Sequence, residues 1–259
     1  MIATTRTVSS RAAYMLDQAV KKSKRSSGIQ LPLGFVRSDS ADSVPPVARM
    51  IRGGRGGEVR LKLYLTMILI AAAGHHDIKN VPARAWAETL NLDDPGGLGA
   101  RRVSDALQWL AENHFISLAS RRGSPPTVTL LSALGDERPF ARGRRIYLRV
   151  PLGLWEHHWI TKLSGLGLAF LLVLLDLQGG ASASNPPSLP GPLRRRYGLS
   201  DDTWTRASRE LKALGLLQIK RQPQGREFDF RRMRNTYWID KAMLSAPVPE
   251  AMRYQAADC

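Results

Sequence analysis

The chain of 259 residues contains little cysteine and no spaced set of metal-binding side chains. Its single cysteine, Cys259, excludes an internal disulfide framework and a cysteine-rich zinc site, and it is typical of a reducing compartment. The histidines stand at positions 75, 76, 114, 157 and 158, and neither adjacent pair has a carboxylate at metal-ligand spacing. We therefore expect no metal and no cofactor.

Sequence signatures of enzymes are also missing. The chain has no phosphate-cradling Gly-x-x-x-x-Gly-Lys, no Gly-x-Ser-x-Gly around a nucleophilic serine, and no His-x-His of a nicking endonuclease. The glycine-rich run at residues 53–57 follows no predicted strand and lacks a following Lys and Ser or Thr. Because catalysis requires convergent titratable groups, and these patterns supply none, we expect a protein that is not an enzyme.

Long hydrophobic runs are scarce. The longest, residues 163–177, contains Ser164 and two glycines and is short for a membrane span, so it predicts a buried core helix. Residues 1–10 are polar, and no apolar segment of a secretory signal follows them. The sequence therefore favours a cytoplasmic protein without a membrane partner.

Acidic side chains are few relative to basic ones. The chain has 38 Lys and Arg against 22 Asp and Glu, which gives a formal net charge of +16. Such an excess favours a polyanionic partner, because basic side chains attract phosphates and release their counterions on binding. Nucleic acid is the expected polyanion.

What the chain does contain is an internal repeat. Residues 103–118 and residues 204–219 each have the pattern of an amphipathic helix, a tight turn and a short strand. Each strand leads into a basic, turn-rich segment and a second predicted strand, which is the pattern of the C-terminal half of a winged helix-turn-helix. The aligned apolar positions are Val103 with Trp204, Ala106 with Ala207, Leu110 with Leu211, and Leu118 with Ile219. The aligned outward positions differ, and they are Asp105 with Arg206 and Gln108 with Arg209.

The repeat and the composition together predict a mainly α fold with small β-wings, of the α+β class. In it, two tandem winged helix-turn-helix domains follow a flexible basic N-terminal arm. The arm is residues 1–57, because its density of Gly, Pro and Ser predicts little buried surface. The other predicted segments are a first winged-helix domain at 58–132, a linker at 133–144, a second winged-helix domain at 145–242 and a C-terminal tail at 243–259.

Apolar periodicity predicts the elements of each segment. The arm is expected to contain a basic helix at residues 11–24. The first domain is expected to have helices at 61–73, 81–90 and 100–113, and wing strands at 115–119 and 127–131 around a loop at 121–126. The second domain is expected to have a strand at 146–150, helices at 163–177, at 193–197 and from the N-cap Ser200 onward, and wing strands at 216–220 and 235–239. The tryptophans at 86, 155, 159 and 204 fit core positions.

The third helix of the second domain has a strongly basic outward face. In a winged helix this helix enters the major groove, while the wing contacts the backbone or the minor groove. Arginine can donate two hydrogen bonds to guanine, and Ser and Thr suit phosphates or base edges. The candidate DNA-binding residues of this helix are Thr203, Thr205, Arg206, Arg209 and Lys212. Those of the wing are Arg226, Arg231, Arg232 and Arg234, and the short preceding helix adds Arg194, Arg195 and Arg196 as phosphate contacts.

The third helix of the first domain is less basic. Its candidate DNA-binding residues are Arg101, Arg102, Ser104 and Gln108, and the wing adds Arg121 and Arg122. The two arginines of the helix lie at its start, where base contacts are usually made, and a glutamine can pair with adenine. Asp105, on the same helix, would repel phosphate. Contact with bases and dimerisation are therefore the two alternatives for this domain.

On these features the chain resembles plasmid replication initiators of the tandem winged-helix kind. The resemblance extends over residues 58–240 and lies in the two repeat segments and in the returning segment Arg-Arg-Met-Arg-Asn-Thr-Tyr at 231–237. It implies double-stranded DNA as the partner, replication initiation as the role, and a nucleoid-associated location in a bacterial cytoplasm. A transcriptional regulator would have the same parts.

Two alternatives concern how such a protein would work. Two different third helices on one chain suit an asymmetric site bound by a monomer, and a homodimer through the first domain or the arm is the other arrangement. A function from a different class is that of a winged-helix adaptor, which recruits a DNA segregation, replication or defence machine through protein contacts.

Overall fold

The structure, a computed structural model, describes residues 7–40, 42–52, 56–71, 77–141, 146–224 and 232–247. Over these residues the chain forms an α+β fold that is mainly helical, with three small antiparallel sheets. The helices are α1 (Ser10–Ser23), α2 (Pro46–Ile51), α3 (Gly57–Ile70), α4 (Ala83–Thr89), α5 (Leu98–Glu112), α6 (Gly153–Glu156), α7 (Trp159–Lys162), α8 (Gly165–Gln178), α9 (Gly191–Arg196), α10 (Asp201–Ala213) and α11 (Lys241–Leu244). The strands are β1 (Ile29–Pro32), β2 (Asp77–Ile78), β3 (Ile116–Arg121), β4 (Ser124–Leu130), β5 (Tyr147–Val150), β6 (Leu217–Gln224) and β7 (Arg232–Ile239).

The first half of the chain contributes α3, α4 and α5 and a sheet of order β2-β4-β3. The three predicted helices are confirmed. α3 is buried on nearly all sides, as its continuous apolar sequence predicts, whereas α5 buries the stripe of Val103, Ala106, Leu107 and Leu110. The short strand β2 was not predicted, and it pairs Ile78 with Val128 of β4.

The hairpin of β3 and β4 is longer than the sequence predicted. Its register continues to the pair Arg121 and Ser124, around a turn at Gly123 with a φ of +75°. The predicted loop at 121–126 is therefore wrong, since Pro125 and Pro126 belong to β4. Strand β2 pairs with β4 only at residues 128 and 129. The two prolines therefore have only β3 as a neighbouring strand, and their missing N–H groups remove no hydrogen bond to β2.

The second half contributes β5, helices α6 to α11, and the β6–β7 hairpin. The predicted strand and the helices at 163–177, at 193–197 and after Ser200 are confirmed. Ser200 caps α10, because its hydroxyl oxygen accepts the Thr203 N–H at 3.2 Å, and α10 is followed by Gly215 with a φ of +70°. The hairpin is again longer than predicted, with eight residues in each strand. All four tryptophans that were predicted to be core residues are buried.

The N-terminal segment differs most from its prediction. Instead of a flexible arm that buries little surface, residues 7–40 and 42–52 form α1, β1 and α2, and Leu16, Phe35 and Val47 are fully buried. Strand β1 pairs with β5, for example Leu31 with Leu148. The Gly, Pro and Ser residues serve as turns between short apolar stretches, and Pro46 takes the first position of α2, where a missing N–H costs nothing.

The hydrophobic core is one continuous cluster that includes side chains from α1, both halves of the chain and the predicted linker. Helices α3 and α8 meet within it, and α6 is joined to α3 because the Trp155 indole N–H donates to Thr66 Oγ1 at 3.2 Å. Lys62 is almost completely buried on α3, and its Nζ lies 2.8 Å from Glu58 Oε1 and 3.4 Å from the Thr161 carbonyl oxygen. In the part of the chain that the structure describes, no helix is both long and apolar enough to cross a membrane.

Candidate nucleic-acid interface

Helix α10 presents a basic face to solvent. Its apolar side chains Trp204, Ala207 and Leu211 are buried against α8 and the β6–β7 hairpin. Since a helix turns by 3.6 residues, the opposite face holds the polar positions. The exposed predicted residues on this face are Thr205, Arg206, Arg209 and Lys212.

Some of the predicted residues of α10 already have partners within the protein. Arg206 Nη1 lies 3.4 Å from Asp202 Oδ2, but both side chains are mostly exposed, so solvent screens the pair. The Thr205 hydroxyl donates to the Asp201 carbonyl oxygen at 2.9 Å. Thr203 is half-buried and its hydroxyl accepts from Ser200 Oγ at 2.9 Å, which makes it part of the cap.

The three consecutive arginines of α9 have different surroundings. The Arg194 guanidinium lies 4.7 Å from the centre of the Trp204 ring, and its Nη2 is 2.7 Å from Asp201 Oδ1. Arg196 Nε donates to the Ser38 carbonyl oxygen at 2.7 Å. Arg195 is exposed. Two of the three arginines predicted to contact phosphate are thus bound to the protein itself, and Arg195 is the one presented to solvent.

The β6–β7 hairpin stands beside α10. It pairs Gln222 with Arg234 and Lys220 with Thr236, and Arg234 is half-buried. Arg232 is the first residue of β7. The predicted wing residues Arg226 and Arg231 lie outside the described residues.

The outward face of α5 has a mixed charge. Arg101 is exposed and Arg102 is half-buried, and the acidic residues Asp105 and Glu112 lie on the same exposed side as Arg101. Ser104 and Gln108 have partners inside the helix, since the serine hydroxyl donates to the Ala100 carbonyl at 3.1 Å and the glutamine Nε2 donates to Glu112 Oε1 at 2.9 Å. At the hairpin of this unit, Arg121 ends β3 and Arg122 is exposed in the turn. Opposite charges therefore nearly cancel along this helix.

Sequence reasoning missed one residue of this surface, Leu98. It is the first residue of α5, and it is 68% exposed. Asp94 caps the helix start by accepting the Leu98 N–H at 2.8 Å. The available signal was an apolar residue directly after Gly96 and Gly97 that lies off the buried stripe of its helix.

Glu210, the acidic residue in the second half of α10, does not belong to the outward face. Its carboxylate accepts the Ser164 N–H at 2.6 Å and the Ser164 hydroxyl proton. Glu58 of α3 accepts the neighbouring Gly165 N–H at 3.2 Å. Two carboxylates thus occupy the N-terminus of α8, so this end of the helix is filled by the protein's own acidic groups.

A buried polar cluster fixes α9 to α8. The Tyr197 hydroxyl donates to Asp176 Oδ2 at 2.8 Å, and Arg37 Nη1 lies 3.5 Å from the same oxygen. Burial raises the pKa of Asp176, although the hydrogen bond from Tyr197 and the charges of Arg37 and Arg196 act in the opposite direction. Burial and the adjacent carboxylate also raise the pKa of Tyr197. The cluster joins α8, α9 and the N-terminal segment, which sets the position from which α10 starts.

Among the described residues, no three His, Cys, Asp or Glu side chains come together as a metal site requires. Comparison with known proteins adds no assignment, because no protein-family model, no curated protein and no solved structure matches this chain.

Proposed function

We propose that this protein is a non-enzymatic, sequence-specific binder of double-stranded DNA, acting as a replication initiator or a transcriptional regulator of a bacterial or mobile-element system. The observation that carries the proposal is the outward face of α10, where Arg206, Arg209 and Lys212 lie in a row beside a basic hairpin. Cations on one face of an exposed helix, next to a β-ribbon, suit insertion into a major groove flanked by phosphates.

The order of elements supports two tandem winged-helix units. In the first unit the chain runs α3, β2, α4, α5, β3, β4, and the first of its strands pairs with the last. The second unit runs α8, α9, α10, β6, β7, and an isolated bridge from Ser188 to Thr236 of β7 stands where the first strand would be. In this interpretation α5 and α10 are the recognition helices, and the hairpins are the wings.

The side chains of the two recognition helices suit different tasks. Arg209 has the geometry to donate two hydrogen bonds to a guanine, and Lys212 suits a phosphate. Leu98, exposed at the start of α5, offers an apolar contact to a thymine methyl group. Because the two helices differ, the expected site is asymmetric and is bound by one copy of the chain.

The test is selection of binding sites from random duplexes, followed by footprinting of the selected site. We expect protection of roughly 15 to 25 base pairs. The double variant Arg206→Ala, Arg209→Ala should lose preference for the selected site while keeping non-specific binding at low salt. The matched control removes the same charge from α1 through Lys21→Ala, Lys22→Ala, and it should keep the preference. Equal preference in the α10 double variant and in the unmodified protein would overturn the assignment of α10.

One observation favours a second function, that of an adaptor that binds a protein partner. The outward face of α5 combines the exposed Leu98 with the charges of Arg101, Asp105 and Glu112, which nearly cancel. A surface of this kind gains little from phosphate attraction and suits protein contact. If selection from random duplexes enriches no site at all, the adaptor function becomes the better account.

A further inference from the structure

Trp238 has a different environment from the other tryptophans. All six tryptophans lie in described residues; Trp86, Trp155, Trp159 and Trp204 are in the core, and Trp109 packs against it. Trp238 stands apart from this cluster and is half-buried on β7. A large aromatic side chain on a solvated strand, away from the core, is typical of a contact surface.

Strand alternation puts Trp238 on the outward face of the β6–β7 hairpin. Leu217 and Ile239, one pair in the register, are buried in the core, so the neighbouring pair of Gln218 and Trp238 points to the other side. Lys220 and Gln222 follow on that same side of β6. The outward face therefore combines an indole, two amides and an ammonium group.

A groove of about 290 Å³ lies over this face. Its floor includes Gln218, Lys220, Gln222 and Trp238, and the loop after α8 forms its wall with Ser184. The loop is held in place because the Tyr237 N–H donates to the Pro187 carbonyl at 3.0 Å. The groove thus has a paired β-hairpin on one side and, on the other, a loop that is tied to β7 at Pro187.

We infer that this groove binds one unpaired nucleotide, with its base stacked on Trp238. Stacking on an aromatic side chain beside basic groups is the general way in which proteins hold unpaired bases. The amides of Gln218 and Gln222 each present a donor and an acceptor, as the exposed edge of an unpaired base requires. Lys220, between them on the strand, supplies a cation for the phosphate. Base-paired nucleotides are excluded, because their faces are stacked and their pairing edges are occupied.

The inference does not depend on α10, because the groove lies on the β6–β7 hairpin, the proposed wing, and on the loop after α8. α10 presents Arg206 and Arg209 for a duplex, whereas the groove is lined by residues of the hairpin and of the loop at 183–186. The unpaired nucleotide has two possible sources, a single-stranded nucleic acid and a free mononucleotide, which offer the same base and phosphate.

The experiment measures binding of a fluorescein-labelled oligothymidylate of about 12 nucleotides by fluorescence anisotropy with the full chain. Trp238→Ala should weaken this binding about 5- to 150-fold, the range that loss of one stacked base produces. Trp238→Phe should keep most of the oligothymidylate binding, because phenylalanine retains a stacking face. Displacement of the probe by millimolar thymidine monophosphate assigns the groove to free nucleotides, and persistence of the complex assigns it to a strand.

Charge variants test the groove without changing the aromatic residue. Lys220→Glu should weaken binding, whereas Lys241→Glu, the same change at an exposed lysine of α11, should have a much smaller effect. The α10 double variant Arg206→Ala, Arg209→Ala should still bind the oligothymidylate, and Trp238→Ala should keep any preference for a duplex site. Unchanged oligothymidylate binding in Trp238→Ala and Lys220→Glu, with normal circular dichroism, would overturn the inference whether or not the protein binds duplexes.

Discussion

At the scale of single residues, several charged side chains satisfy helix ends in place of backbone partners. The first N–H groups and the last C=O groups of a helix have no partner within it, so a carboxylate at the N-terminus or a guanidinium at the C-terminus stabilises the helix. Glu210 serves the start of α8, as described above. Arg25 serves the end of α3, where it donates to the carbonyl oxygens of Ile68 at 2.8 Å and Leu69 at 3.0 Å. Part of the positive charge is therefore structural.

We expect Glu210→Ala to destabilise the fold by about 1.5–3 kcal/mol, because hydrogen bonds to a charged acceptor contribute that amount and the Ser164 N–H is left without its partner. The measurement is urea unfolding followed by tryptophan fluorescence, with the midpoint and slope fitted together. Glu112→Ala is the control, since Glu112 is exposed on α5 and its carboxylate accepts a hydrogen bond from Gln108, one turn away on the same helix. It should change stability by no more than about 0.5 kcal/mol. Equal effects of the two changes would contradict the capping role.

At the scale of elements, the β1–β5 ribbon depends on a close approach of two backbones. Gly28, just before β1, has a φ of +93°, and a Cβ at this position would lie 2.0 Å from the Val150 carbonyl oxygen. Gly123, in the β3–β4 turn, also has a positive φ, +75°, but a Cβ there would meet nothing within 4 Å. The two glycines share the backbone requirement and differ in the space around them.

The comparison of these glycines gives a prediction with a built-in control. Gly123→Ala should cost about 1–2 kcal/mol, the strain of a left-handed backbone. Gly28→Ala should cost about 1–3 kcal/mol more, because the ribbon must also move apart to admit the methyl group. Thermal and urea unfolding of both variants measure the difference. A Gly28→Ala protein as stable as the Gly123→Ala protein would show that β1 does not lie against β5.

How much of these elements could be predicted depends on how local their signals are. Helices α5 and α10 were found from sequence because an apolar stripe such as Trp204, Ala207 and Leu211 appears within a few turns. The pairing of β1 with β5 was missed. The four residues of β1, between Gly28 and a 3-10 turn at Leu33–Phe35, give no periodic signal, and the partner strand is more than a hundred residues away. The binding of Arg196 to Ser38, 158 positions apart, was equally invisible. The sequence therefore predicts which face of a helix is basic, but not which of its arginines have partners.

At the scale of the whole molecule, the N-terminal segment connects the two halves. α1 packs against α3 and α4 of the first half and against α6 of the second, and β1 is joined to β5. Just before α1, the Ser9 N–H donates to the Asn91 side-chain oxygen at 3.2 Å, and the Asn91 side-chain amide donates to the Thr7 carbonyl oxygen at 2.9 Å. α2 contacts both α3 and α8. Since elements of both halves share this support and one core, the two halves are expected to unfold together.

Amide hydrogen exchange tests this connection directly. The amides of β1 and α2 should exchange as slowly as those of α3 and α8, because opening them requires exposure of Leu31 and Val47, which are fully buried. Exposed residues 182–184 provide the fast-exchanging reference in the same experiment. Peptides from residues 29–51 that exchange as fast as this reference would mean that the segment is an arm, as its Gly, Pro and Ser content suggested. Slow exchange would mean instead that short apolar stretches between turns are enough to fix residues 29–51 in place, because these stretches pack into the core that both halves share.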